Sequence, residues 1–320
     1  MNYIMKRTIG VIITLLLTFS AVFSQQEAQF TQYMFNNLSI NPAFAGSKGA
    51  ICATGLARQQ WMGFEDMEGE NVSPQTFLFS LDAPIRVLHG GAGITIYNDK
   101  LGYENNIGVK LSYAYRFNIA DGEMSAGVQA GFLNKSIDFS KFRPLEDNDP
   151  LLISTSKETA MLIDFSAGVF YKVPNQYYVG LSASQLSQAS GAIGSIEQKL
   201  KTHFFLTGGY QYVLPSFPSL EIIPSVLIKT DGVSAQYDVT AMGKYNNKFW
   251  GGVNYRVQDA VSIIIGMNYM NMNIGYSYDI TTSALGRQGR SSGSHEIMIG
   301  YCFKIEIEKP RRSYKNTRFL

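Results

Sequence analysis

Charged side chains are scarce in this chain. Asp, Glu, Lys and Arg make up 16% of its 320 residues, against 45% hydrophobic, the reverse of the composition that keeps a chain disordered. Cysteine is scarcer still, and two residues cannot build a disulfide-dense scaffold or a Cys-only zinc site. Neither sign of charge dominates, and a formal net charge of +2 supplies no bulk attraction to nucleic acid. Long apolar runs are missing too. One run extends from Ile9 to Phe23, short of the roughly 20 residues that cross a bilayer as a helix. None follows it, which excludes a polytopic helical membrane protein. What the chain has in quantity is aromatic residues, 13%, and glycine, 30 residues. One large β-rich domain or two ordinary globular ones fit those figures.

The N-terminus reads as a secretory signal peptide over residues 1–24. Lys6 and Arg7 precede the apolar run, and Val22 and Ser24 are small enough for the −3 and −1 positions of cleavage. Cleavage near Ser24 leaves Gln25 as the new N-terminus, with no following Cys to carry a lipid. The mature chain is therefore expected outside the cytoplasm. Charge then divides unevenly. Lys304–Leu320 holds six basic and two acidic residues, and Gln25–Phe303 carries a net −4.

From about Ala50 onward the hydrophobic period is two. Ile107, Val109, Leu111, Tyr113, Tyr115 and Phe117 point one way, while Gly108, Lys110, Ser112, Ala114 and Arg116 point the other. A helix would mix Lys110 and Arg116 into the apolar face, so this is a strand. Val261–Tyr269 and Met272–Tyr278 repeat the pattern, with Ser, Gly and Asn opposite. A soluble sandwich also alternates. Aromatic residues near strand ends, a small polar opposite face and strands of about ten residues favour a transmembrane barrel.

About fourteen antiparallel strands are expected between residues 50 and 307. The long connections, Gln59–Ser73, Asp138–Ala160, Ser187–Lys201 and Thr281–Gly293, each follow an odd-numbered strand, and the tight ones follow even-numbered strands. Outer-membrane barrels have short periplasmic turns, long external loops and an even strand count. The expected organisation is a signal peptide (1–24), a periplasmic or lumenal segment (25–49), an all-β outer-membrane barrel (50–307) and a basic periplasmic tail (308–320). The 25–49 segment carries Phe30, Tyr33, Phe35, Asn36, Asn37 and Asn41, too many large groups for an unstructured leader, and is read as a strap or plug.

Chemistry-bearing motifs are few. His89, His203 and His295 are scattered, and His295-Glu296 sits on a strand where the two side chains face opposite sides, unlike a zinc-binding HExxH helix. Gly289-Arg290-Ser291-Ser292-Gly293 spells Gly-x-Ser-x-Gly but falls in the long connection before the last strand, with no strand-to-helix turn around it, and no Walker loop occurs. So no catalytic, cofactor-binding or metal residues are assigned and no enzymatic activity is expected. Glu146, Asp147 and Asp149 lack the Gly and distal Glu of an EF-hand and read as a solvated acidic loop. Cys52 and Cys302 fall in the first and last strands, which barrel closure makes neighbours. A bridge between them needs matched register, and two unpaired small residues are the simpler reading. Arg311, Arg312, Lys315 and Arg318 follow Pro310, either as a solvated end or as a docking arm for a periplasmic partner.

Several landmarks together resemble a known family. They are Gln32-Tyr33-Met34-Phe35-Asn36, Asn41-Pro42-Ala43-Phe44-Ala45-Gly46, Arg58-Gln59-Gln60-Trp61, then Gly93, Asp99 and Gly102, and finally Gly293-Ser294-His295-Glu296-Ile297-Met298. In this order, over nearly the whole mature chain, they resemble the PorP/SprF family of the Bacteroidetes type IX secretion system. Phe44 stands where the family often has Tyr, and the basic tail is less typical. The resemblance implies an outer-membrane barrel, in contact with outer-membrane lipid and the secretion machinery. It would assist export or surface attachment of a cargo such as a gliding adhesin with a type B C-terminal sorting domain. A passive, porin-like solute channel is the rival, since about fourteen strands enclose room for small solutes unless the lumen is plugged. Lumen-facing Trp250 and Phe170 favour a plug.

Overall fold

The computed structural model describes residues 27–143, 156–287 and 289–303. The expected signal peptide, the Glu146–Asp149 cluster and the basic tail with Arg311, Arg312, Lys315 and Arg318 lie outside them.

The strands are β1 (Ile51–Gln59), β2 (Gln75–Ile85), β3 (Gly90–Leu101), β4 (Glu104–Ile119), β5 (Gly122–Asp138), β6 (Lys157–Val173), β7 (Tyr177–Ser184), β8 (Ser190–Ile193), β9 (Ile196–Lys199), β10 (His203–Tyr210), β11 (Tyr212–Leu214), β12 (Phe217–Thr230), β13 (Ala235–Tyr245), β14 (Phe249–Arg256), β15 (Ala260–Tyr269), β16 (Met272–Thr281) and β17 (Ser294–Phe303). β8 and β9 form a separate hairpin, and β10 with β11 is one barrel strand broken at Gln211. The rest is an up-and-down antiparallel meander of fourteen strands. β10 pairs β12, the next strand of the meander, and the barrel closes where the first strand pairs the last, from Ile51↔Phe303 to Gln59↔His295.

The alternation read from the sequence decides which side chains meet lipid. On β4, Leu111 is 57% exposed and lies between Lys110 and Ser112, which are buried inward. Val261, Ile263, Ile265, Met267 and Tyr269 face outward along β15, and Ser262 and Ile264 face in. Repeated around fourteen strands, this gives an apolar belt far larger than a soluble monomer tolerates. Aromatic pairs sit near its edges: Tyr115 with Phe117, Phe217 with Tyr245, and Tyr301 with Phe303. Such rings suit the water–hydrocarbon boundary.

The loop parity also holds. At one rim the connections are short (86–89, 120–121, 174–176, 215–216, 246–248 and 270–271). At the other lie 60–74, 139–156, 185–202 and 282–293, with three tight turns. One of the long connections, Ser187–Lys201, contains the β8–β9 hairpin. Gly194 takes a positive φ of 60° at its tip, and Ile193 is buried against Ile137 and Phe139 at the top of β5. β5 and β6 each run 17 residues, beyond the 9–11 needed to span a bilayer, and their surplus gives the hairpin its support.

The two cysteines correct the simpler sequence reading. Barrel closure sets Cys52 directly opposite Cys302, with Cα atoms 4.1 Å apart, and the structure joins them in a disulfide spanning 250 residues.

Candidate functional site

Residues 27–49 fill the lumen. Three 3-10 turns, Tyr33–Phe35, Asn37–Ser39 and Pro42–Phe44, keep the path compact. Asn41 starts the third by accepting the Ala43 N–H at 3.0 Å, and Pro42 follows where an N–H would have no partner. The segment runs from the long-loop half of the lumen to the short-turn rim, where it turns into β1. It hydrogen-bonds side chains or carbonyls on eleven of the fourteen barrel strands.

Near the long-loop end the plug offers N–H groups and the wall offers carboxylates. The Thr31 and Gln32 amides donate to the Glu296 carboxylate at 2.9 and 2.8 Å, and the Thr31 hydroxyl donates to Asp279 at 2.9 Å. Arg58 joins those acids, with 2.7 Å to Asp279 and 3.1 Å to Glu296. Arg256 bonds Asp238 at 2.9 Å and reaches Asp279 at 3.4 Å. All five charged side chains are buried. Buried charges persist only when paired and hydrogen-bonded, and here the plug backbone supplies part of that bonding.

Near the short-turn end the polarity reverses. Arg116 donates to the carbonyls of Ala45 and Gly46, Lys172 to that of Ser47, and Ser125 to that of Ala43 at 2.8 Å. Asp82 accepts the Gly46 N–H at 2.8 Å. The wall thins where the plug presses on it. A Cβ on Gly127 would stand 2.3 Å from the Ala43 nitrogen, so only glycine lets the two backbones approach this closely. Aromatic contacts add to the hold at this end. Phe35 lies 4.4 Å from Trp250, and Phe44 meets Phe170 edge-on.

The motif residues singled out in the sequence divide into two sets. Gln32, Tyr33, Met34, Phe35, Asn36, Asn41, Pro42 and Gly46 are the plug itself. Tyr33 donates to Ser225 at 3.2 Å, Asn36 accepts from Ser80 at 2.8 Å, and Asn41 donates to the Val169 carbonyl at 3.0 Å. Arg58 and Glu296 are their wall partners. Trp61, Asp99 and His295 lie apart. The Trp61 amide donates to Ser294 at 3.1 Å in the β1–β2 connection, and His295 faces outward, bonded to the Tyr276 hydroxyl at 2.7 Å. Asp99 faces a cavity of about 190 Å³ between the plug and the long-loop rim, bordered by Phe30, Leu78, Tyr97, Lys110 and Leu133. Asp238, Arg256 and Asp279 were not singled out. Strand parity puts all three on the lumenal face, and a charge on that face is the signal that would have found them.

The long-loop rim is itself ordered by charge. The Tyr103 hydroxyl, in the β3–β4 turn, donates to Asp66 in the 60–74 connection. That bond holds the Asp66 carboxyl below the usual carboxylate range and pushes the Tyr103 phenol up to about 12. Lys141 and Arg143 pair with Glu70 and Glu68 of the same connection.

Two solved structures illustrate the similarity in fold. The toluene transporter TbuX of Ralstonia pickettii is 13% identical, with 86% of this chain and 93% of that chain covered and a TM-score of 0.47. A Pseudomonas aeruginosa FadL homologue is 11% identical, with 81% and 91% covered and a TM-score of 0.43. Among curated proteins none matches. The sequence profile described as "Type IX secretion system membrane protein PorP/SprF" matches residues 22–301. A closed barrel with an apolar belt is the membrane protein that this description calls for, and the chain belongs to the PorP/SprF family of type IX secretion system membrane proteins.

Proposed function

We propose that this protein is a non-enzymatic outer-membrane component of type IX secretion that assists export or surface anchoring of one cognate cargo, such as a large adhesin with a type B sorting domain. The observation that carries this reading is the filled lumen. A segment bonded to eleven strands leaves a rigid cylinder with structured loops at one rim, a surface suited to holding another protein rather than passing solutes. The short-turn rim faces the periplasm and the long-loop rim faces out, as in other outer-membrane barrels. The basic tail, with Arg311, Arg312, Lys315 and Arg318, then hangs beside the periplasmic machinery as a docking arm.

Deletion of the gene followed by surface proteomics tests the proposal. Loss of one large surface protein is expected. An unchanged surface with altered solute uptake would overturn it in favour of a porin-like channel, as would a large, stable open conductance in planar bilayers. Truncation after Glu308 should weaken assembly with the machinery while leaving the barrel folded.

A further inference from the structure

The cavity above the plug has a wall built in register. Thr76, Asp99, Asn106 and Lys135 form one row across β2 to β5, and Leu78, Tyr97, Gly108 and Leu133 form the next row towards the short-turn rim. Phe30 and Ile40 of the plug line it from below, and Leu101 and Leu200 from the rim side.

Three carboxylates, Glu27, Asp99 and Glu104, border it with three lysines, Lys110, Lys135 and Lys201, but the pairing is uneven. Lys135 is drawn to Glu104 at 2.9 Å, and Lys110 pairs with Glu27 at 3.7 Å and lies over the Tyr97 ring. Lys229 is held by the Glu27 carbonyl at 2.9 Å. Asp99, 6% exposed, has a hydrogen bond from the Thr76 hydroxyl at 2.6 Å and, among the described residues, no Lys or Arg within salt-bridge distance. Two further buried oxygens bordering the same space, the Thr95 hydroxyl and the Asn106 carbonyl, have no hydrogen-bond partner among the described residues. Thr95 is 1% exposed. Buried polar atoms are normally satisfied, and exceptions call for an explanation. A buried carboxylate outside any ion pair, with the unpaired Asn106 oxygen on the facing residue and apolar walls below, suits a donor-rich cation on an apolar stem.

We propose that this cavity receives a lysine or arginine side chain from an extended segment of the partner protein, its cation on Asp99 and Asn106 and its methylene stem between Leu78, Tyr97 and Leu133. This rests on the reading that the long-loop rim holds a secreted partner.

The test uses the mature full-length barrel in detergent, titrated calorimetrically with Nα-acetyl-lysine amide and Nα-acetyl-arginine amide. The norleucine and glutamate analogues serve as uncharged and anionic controls. The cationic probes should bind at least tenfold tighter than either control. Asp99→Asn, nearly isosteric, should remove that preference while keeping heat-modifiable migration, and Leu101→Trp should block the mouth without touching the carboxylate. Equal binding of the glutamate or norleucine probe, or cation binding unchanged in Asp99→Asn, would overturn the site. The export reading fails separately: if gene deletion leaves the surface proteome unchanged while Asp99-dependent cation binding persists, the cavity stands and the link to a secreted partner falls.

Discussion

Arg58 and Glu296 stand directly opposite each other across the seam between the first and last barrel strands, 3.1 Å apart and both buried. The same Glu296 carboxylate takes the backbone N–H groups of Thr31 and Gln32. One ion pair therefore ties barrel closure to plug seating. The chain cannot complete this arrangement until its last described strand is in place, because Glu296 and Asp279 arrive after every other plug partner in sequence. A plug held this way is part of the folded barrel, not a loose leader.

Removing one member of that group leaves the others charged and buried. Glu296→Ala should destabilise the barrel by about 3–5 kcal/mol, read from denaturant unfolding in lipid vesicles. It should also speed amide exchange at Thr31 and Gln32. Arg58→Met alone should be comparably harmful, whereas Arg58→Met with Glu296→Ala should cost less than the two single changes added together. Simple additivity would show that the pair is not coupled.

Gly127 offers a way to unseat the plug from the other side. Its Cα faces Ala43 with no room for a methyl group, while its neighbours Ala126 and Val128 look outward. Gly127→Val should leave strand pairing and heat-modifiable migration intact but displace the Pro42–Phe44 turn. Planar bilayers should then show frequent channel openings that the unmodified protein lacks. A variant as silent as the parent would mean that the lumen is sealed by something other than this contact.

Much of this architecture was legible because a barrel makes parity do the work of folding. Once Lys110 and Leu111 are assigned to opposite faces, every strand in register inherits its inside and outside, and the rims follow from connection length. The hairpin of Ser190–Lys199 was not legible, since its reason for ordering is Ile193 sitting on Ile137 and Phe139 far back in the chain. The site was half legible. Gln32, Arg58 and Glu296 stood out as motif residues, but their convergence depends on closure pairing β1 with β17. Asp279 and Arg256 read only as occasional charges on alternating strands.

The disulfide sits on the same seam, three inward positions below the ion pair on β1, at the short-turn end. It links residues 250 apart in sequence, so it removes a large loop entropy from the unfolded chain. Cys52→Ala with Cys302→Ala should cost about 2–4 kcal/mol and lower the temperature at which the barrel opens in SDS. Adding reductant to the parent should reproduce that loss and should not affect the double variant. If the parent and the double variant open at the same temperature, the bridge contributes nothing to closure.

The rim bond between Tyr103 and Asp66 predicts a pH window for the 60–74 connection. Asp66 has a lowered pKa when folded, so its contribution is complete above the ordinary Asp value of about 3.9 and is lost as pH falls through the folded value. Tyr103 is raised to about 12, so its contribution is complete below the ordinary Tyr value of about 10 and is lost as pH rises towards 12. Protection of this connection against protease should therefore be flat between those limits and fall on both sides. Tyr103→Phe removes the donor. It should abolish the alkaline limb, return the Asp66 titration towards its ordinary range, and leave barrel stability unchanged because both groups lie outside the membrane wall. A protection profile in Tyr103→Phe that matches the parent at both ends would show that the connection is held without this bond.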